Sequence, residues 1–274
     1  MPYSYPLALL GWALLWSSLC LLLTASKLWV APRPLGRAAL VCALHMLVLV
    51  LPWSQLLGLP ATPTSLGHPP LAWAAKVVAL LVSGLVLYGV RWVVPAAAGL
   101  RRPGPGTLRP VGLVVGAVAV AVFASAYAAR RSFLPLWWPE RLYYSVVPGL
   151  EEELFYRGAL LGLLGPVFAR SIPLPGTRTS WGGLATVLLF ALGHSLKLSF
   201  IYDAVNNLLL SQAHLAGHVT WWQSLLYFVL TDTAYPLLMG LLLLWVRERT
   251  GSVWVAVAAH CLLNTALTLG RTLP

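Results

Sequence analysis

Charge is what this sequence has least of. Charged residues make up 9% of the 274, and only seven of them are acidic. There is no polar stretch long enough to form a soluble domain, no internal repeat and no low-complexity tail. Three cysteines, Cys20, Cys42 and Cys261, all lie inside apolar runs, an odd number that argues against a disulfide framework or a cysteine metal clip. No Walker-type phosphate loop, GxSG or GxGD motif occurs, which removes several classes of membrane enzyme, and HExxH is absent as well. The 18 Lys and Arg give a net charge of +11, but they fall singly or in pairs between apolar runs. That distribution fixes orientation in a membrane, and no basic stripe with spaced aromatics points to bound nucleic acid.

What is present is hydrophobic: 59% of the residues, with mean hydropathy +0.81, 13 Trp and 10 Tyr. Runs of about 18 or more apolar residues mark transmembrane helices, because a backbone in hydrocarbon must close its own hydrogen bonds. The expected fold is all-α, a polytopic membrane protein. About eight spans are expected, near 7–26, 38–59, 72–95, 111–129, 142–168, 181–200, 221–246 and 251–270. The first lacks a basic residue before it and is read as a retained anchor rather than a signal peptide. Pro and Gly clusters at 60–63, 68–70, 102–106 and 173–176 mark connections. By the positive-inside rule the basic loops after spans 1, 3, 5 and 7 face the cytoplasm, with Arg130, Arg131 and Arg141 against the trend.

Against this background Glu151, Glu152 and Glu153 stand together between apolar runs and are three of the seven acids. Carboxylates inside a membrane are costly unless paired or facing a wet cavity, so they mark function. Glu153 and Arg157 are one helical turn apart and can form an intrahelical ion pair. Glu152 lies about 100° round the helix from Glu153, free to face a cavity and move protons. Shifting the pattern back by one would require Arg at the position of Tyr156, so Glu151 is expected to be a bystander. Phe190 and His194 repeat the one-turn spacing in the sixth span, and His260 and Asn264 in the last. A lone membrane histidine is more often a helix-packing residue than a catalyst, and an acid–Arg pair is as often structural. The three patterns in this order on three helices are far more specific.

EExxxR, FxxxH and HxxxN in this order resemble the signature of the CPBP (Abi) intramembrane proteases, which include the CAAX prenyl endopeptidases. The resemblance covers roughly residues 140–270, and every motif position is intact. It implies a helical bundle around a hydrophilic catalytic cavity, with Glu152 and His194 activating water and His260 and Asn264 stabilising the oxyanion. The division that follows is 1–135, transmembrane helices without a recognisable motif, and 136–274, the catalytic core. The implied activity is endopeptidase cleavage near the C-terminus or a membrane-proximal segment of a membrane-associated protein, by CAAX-like or sorting-signal processing. The alternative is a non-enzymatic scaffold or a bacteriocin self-immunity protein. No cofactor is expected. Zinc held by Glu152, His194 and His260 is the alternative, and ligand economy favours a metal-free glutamic mechanism. The implied location is a prokaryotic plasma membrane, crossed several times.

Other polar residues have plainer expectations. Lys76 and Lys197 are expected to snorkel, and His45 to be a satisfied interhelical histidine. Asp232 is expected to line the cavity or to bond backbone freed near Pro236. Trp137, Trp138, Trp221 and Trp222 are expected to be interfacial anchors.

Overall fold

The structure, a computed structural model, describes residues 4–51, 56, 73–129, 138–195 and 233–273. Among them are eight long helices: α1 (Ser4–Leu23), α2 (Pro32–Val50), α3 (Trp73–Gly84, continued by a π-helical segment Leu85–Gly89) and α4 (Leu108–Ala128). The second half contains α5 (Trp138–Glu153, continued through π-helical Leu154–Leu160 to Leu161–Leu164), α6 (Trp181–Ser195), α7 (Tyr235–Thr250) and α8 (Val253–Thr272). The only strands among the described residues form a small antiparallel hairpin, β1 (Ile172–Leu174) and β2 (Thr177–Thr179), with Gly176 at φ +67° in its turn. The protein is an all-α membrane protein, as the hydropathy requires. Lys197, His214, His218, Trp137, Trp221, Trp222 and Asp232 lie outside the described residues.

Three of the helices, α2, α4 and α8, are long and apolar enough by themselves to cross a membrane. Shorter apolar stretches run through α1, α3 and α6. The fifth expected span, 142–168, is helical, but its apolar character is broken by the glutamate cluster and Arg157. The second was expected at 38–59, whereas α2 ends at Val50. Its cap, Leu51, is extended at ψ 142°, the conformation forced on a residue that precedes proline, here Pro52.

Two apolar clusters build the interior. One joins α1, α2, α3, α5 and α6 around Trp16, Leu35, Phe155, Leu160 and Leu189. The other joins α4, α7 and α8 around Val115, Leu243, Ala256 and Leu263. The α5 helix belongs to the first and packs closely along α8 from the second, so it occupies the seam. Leu14, Leu22, Leu113, Val120 and Leu238 remain exposed, as side chains facing lipid tails should be.

The connections after α1, α3, α5 and α7 meet at one end of the bundle. Trp181 Nε1 donates to Leu23 O (2.7 Å), Val253 N to Gly99 O (2.9 Å), and Thr177 Oγ1 to Glu248 O (3.1 Å). Gly251, at φ +70°, closes α7 by donating to Arg247 O and lets α8 begin two residues later.

The seam is tight because it is lined by a glycine. A Cβ on Gly149 would meet Cys261 Sγ at 2.8 Å and Cys261 N at 3.0 Å. Without lipid exclusion to drive helix association, such close backbone approach is what holds membrane helices together. Gly149→Ala is expected to destabilise the protein by about 1–3 kcal/mol through overpacking. Gly112→Ala, where a Cβ meets nothing within 4 Å, should be neutral or slightly stabilising. Thermal unfolding of both variants in detergent checks this, and equal shifts would refute the close-approach account.

Candidate active site

The polar centre forms where α5 changes its winding. Pro148 cannot donate a backbone hydrogen bond, and the wider π-helical turns begin at Leu154. Between these irregularities sit Glu151, Glu152 and Glu153, all buried.

Glu153 is the anchor. Its Oε1 accepts from Arg157 Nη1 at 3.1 Å, and both side chains are completely buried. Arg157 also donates through Nη2 to Gly240 O on α7 (2.9 Å), and its guanidinium lies 4.5 Å over the Phe190 ring on α6. His260 on α8 completes the set, with Nδ1 2.9 Å from the same Glu153 oxygen. A carboxylate oxygen accepts, so this nitrogen carries the proton. One ion pair thus ties together α5, α6, α7 and α8.

Glu153 pairs with Arg157 as the one-turn spacing predicts, but Glu152 is not free. Lys76 Nζ on α3 lies 2.8 Å from Glu152 Oε1 and 2.6 Å from Glu151 Oε2. Lys76 therefore does not snorkel; its side chain is only 14% exposed. Glu151, expected to be a bystander, shares this ammonium. Its Oε1 lies 3.3 Å from His45 Nε2 on α2, an approach without hydrogen-bond alignment. His45 stacks flat on Phe155, ring centroids 3.5 Å apart and 3° from parallel. The reason is charge balance: three carboxylates and Arg157 leave an excess of two negative charges, which cannot stay buried uncompensated. Lys76 was within reach of that argument, as the lone charge in an apolar stretch.

The second oxygen of Glu152 differs from the first. Glu152 Oε2 is buried, has no hydrogen-bond partner among the described residues, and points at His194 Nε2, 3.9 Å away. His194 is oriented by Nδ1, 2.9 Å from Phe190 O. A carbonyl accepts, so Nδ1 carries the proton and Nε2 presents a lone pair in the neutral ring. Phe190 therefore serves twice, packing its ring 4.5 Å from His194 and beneath Arg157 while its carbonyl sets the tautomer. Asn264 lies one turn beyond His260 on α8, half-buried.

His260 turns Nδ1 to Glu153, and among the described residues no group of three or more His, Cys, Asp or Glu is arranged to hold a metal ion.

Buried carboxylates, two oriented imidazoles and an arginine clamp thus meet inside a helical membrane protein. Residues 134–266 match the family described as Type II CAAX prenyl endopeptidase Rce1-like. This match places residues 134–266 in the CPBP family of proteases, which implies a CAAX-type intramembrane endopeptidase. No curated protein and no solved structure matches the chain.

The Glu153–Arg157 pair is open to a direct test. Arg157→Met strands a buried carboxylate and should cost about 3–5 kcal/mol. Adding Glu153→Gln should recover part of that loss, because the two positions are strongly coupled. Thermal unfolding of the two single variants and the double variant measures the coupling; additive losses would mean that the pair does not act as a unit.

Proposed function

We propose that the protein is a glutamic-type intramembrane endopeptidase. It hydrolyses a peptide bond near the C-terminus or in a membrane-proximal segment of a membrane-associated protein substrate, by CAAX-like or sorting-signal processing. The observation that supports this most is the 3.9 Å between Glu152 Oε2 and His194 Nε2, both able to accept. That distance is too long for a direct hydrogen bond, and a water at about 2.8 Å from each would bridge the two.

Such a water donates one O–H to Glu152 and the other to His194, which leaves an oxygen lone pair directed at the scissile carbonyl. As the C–O bond forms, Glu152 Oε2 takes the proton, and the carbonyl oxygen becomes an oxyanion. Asn264 donates to it from its amide, and His260 from Nε2. His260 acts in this way with both ring nitrogens carrying hydrogen, Nδ1 directed at Glu153 and Nε2 at the oxyanion. Collapse of the intermediate breaks the C–N bond, and Glu152 returns its proton to the leaving amine. Lys76 holds the other Glu152 oxygen, so the carboxylate turns only one face to the reaction. Glu153 and Arg157 position His260 and touch no substrate. A multi-pass position in a prokaryotic plasma membrane fits a substrate taken from the bilayer or its edge.

Glu152→Gln is expected to leave abundance near wild type and to lower cleavage at least about 100-fold, the scale of a lost general base. C-terminal proteomics of membrane fractions at matched protein levels reads this out. Loss of abundance together with function would favour a scaffold or immunity role instead. A second expectation concerns cofactors: purified protein exhaustively treated with a zinc chelator should retain its activity. Loss that added zinc restores would overturn the metal-free mechanism.

A further inference from the structure

The end of the bundle where the connections meet holds a second polar site, remote from the glutamates. A cavity of about 210 Å³ opens there between the short helical turn Pro95–Ala98, the end of α5 and the end of α7. Arg101, Arg170, Ser180, Arg247 and Glu248 line it. The one carboxylate is already committed, with Glu248 Oε2 2.8 Å from Arg170 Nη1 and Oε1 accepting from Thr179 Oγ1 at 3.0 Å. Arg247 is only 5% exposed, and its partners among the described residues are backbone carbonyls, Ala97 O at 2.8 Å and Arg157 O at 3.3 Å. Arg101 donates to Gly251 O at 3.0 Å and likewise has no carboxylate partner there. Three guanidiniums thus face one carboxylate, and one of the three is a buried cation that neutral carbonyls alone satisfy. Such a group favours an anion, and guanidinium matches the oxygen geometry of phosphate.

A groove of about 610 Å³ adjoins this cavity and shares Arg101 with it. Its other walls include Arg102, Leu108, Trp254, Val255 and Ala258. Leu108 and Trp254 stand at the starts of α4 and α8, two of the helices long and apolar enough to cross the bilayer. The groove therefore begins where two such helices enter the hydrocarbon, and a half-exposed tryptophan at that level is an interfacial residue. A cationic pocket continuous with an apolar groove at a membrane surface fits one class of molecule. We propose that this site binds an anionic phospholipid, its phosphate among Arg101, Arg170 and Arg247 and an acyl chain along Leu108 and Trp254. The basic connections that surround it then mark the leaflet rich in anionic lipid, the cytoplasmic one. The proposal does not depend on the reaction at Glu152.

The test uses the full-length protein in detergent, offered dioleoyl phosphatidylglycerol or dioleoyl phosphatidylcholine in mixed micelles, with retained lipid counted by native mass spectrometry. Phosphatidylglycerol should be retained and phosphatidylcholine should not. Arg101→Gln should weaken retention about tenfold, the scale of one charge-assisted hydrogen bond. Trp254→Ala, which leaves the cationic pocket intact, should weaken it too. If Arg101→Gln disturbs folding by releasing Gly251 O, Trp254→Ala decides alone. Inorganic phosphate should not displace the lipid; displacement would make this a site for a soluble anion. Equal retention of the two lipids, or unchanged retention in a folded variant, would also overturn the proposal.

Discussion

A single buried ion pair organises the second half of this protein. Glu153 and Arg157 lie one turn apart on α5 and are both inaccessible, so neither can hold its charge without the other. Each also reaches beyond its helix. Arg157 reaches the Gly240 carbonyl and the Phe190 ring, and Glu153 reaches His260. The positions of α6, α7 and α8 relative to α5 are therefore set by electrostatic complementarity, over and above side-chain volume. In a membrane, where apolar surfaces gain little from leaving lipid for each other, such a polar clamp confers a specificity of packing that leucine and valine cannot.

The remaining carboxylates follow from the same demand for neutrality. Glu151 and Glu152 share the ammonium of Lys76, which comes from α3 in the part of the chain without a recognisable motif. His45, on α2, closes over Phe155 beside them. The early helices thus contribute side chains to the polar centre as well as bulk around it. They leave Glu152 with one oxygen fixed and the other turned toward His194.

How much of this was legible before the fold was known depends on distance along the chain. The pairs one turn apart were legible because helix geometry alone brings such residues together: Glu153 with Arg157, Phe190 with His194, His260 with Asn264. Hydropathy likewise marked the helices, though not their ends, because Leu51 stops α2 for a local steric reason that an apolar run does not register. Lys76 was misplaced since it lies 75 residues from Glu151, and nothing local reveals that α3 packs on α5. Counting charges inside the apolar runs would have found it: the glutamates needed a cation, and Lys76 was available. The tautomers of His194 and His260 were beyond any pattern, because each is set by which oxygen meets Nδ1.

The two-residue turn at Gly251 and Ser252 has a further consequence. It joins α7, which presents the Gly240 carbonyl, directly to α8, which presents His260. Both grips on the ion pair therefore hang from one helical hairpin, its turn closed by the Gly251 N–H donating to Arg247 O. The carbonyl that holds Arg157 and the imidazole that holds Glu153 are thus mechanically coupled through one short connection.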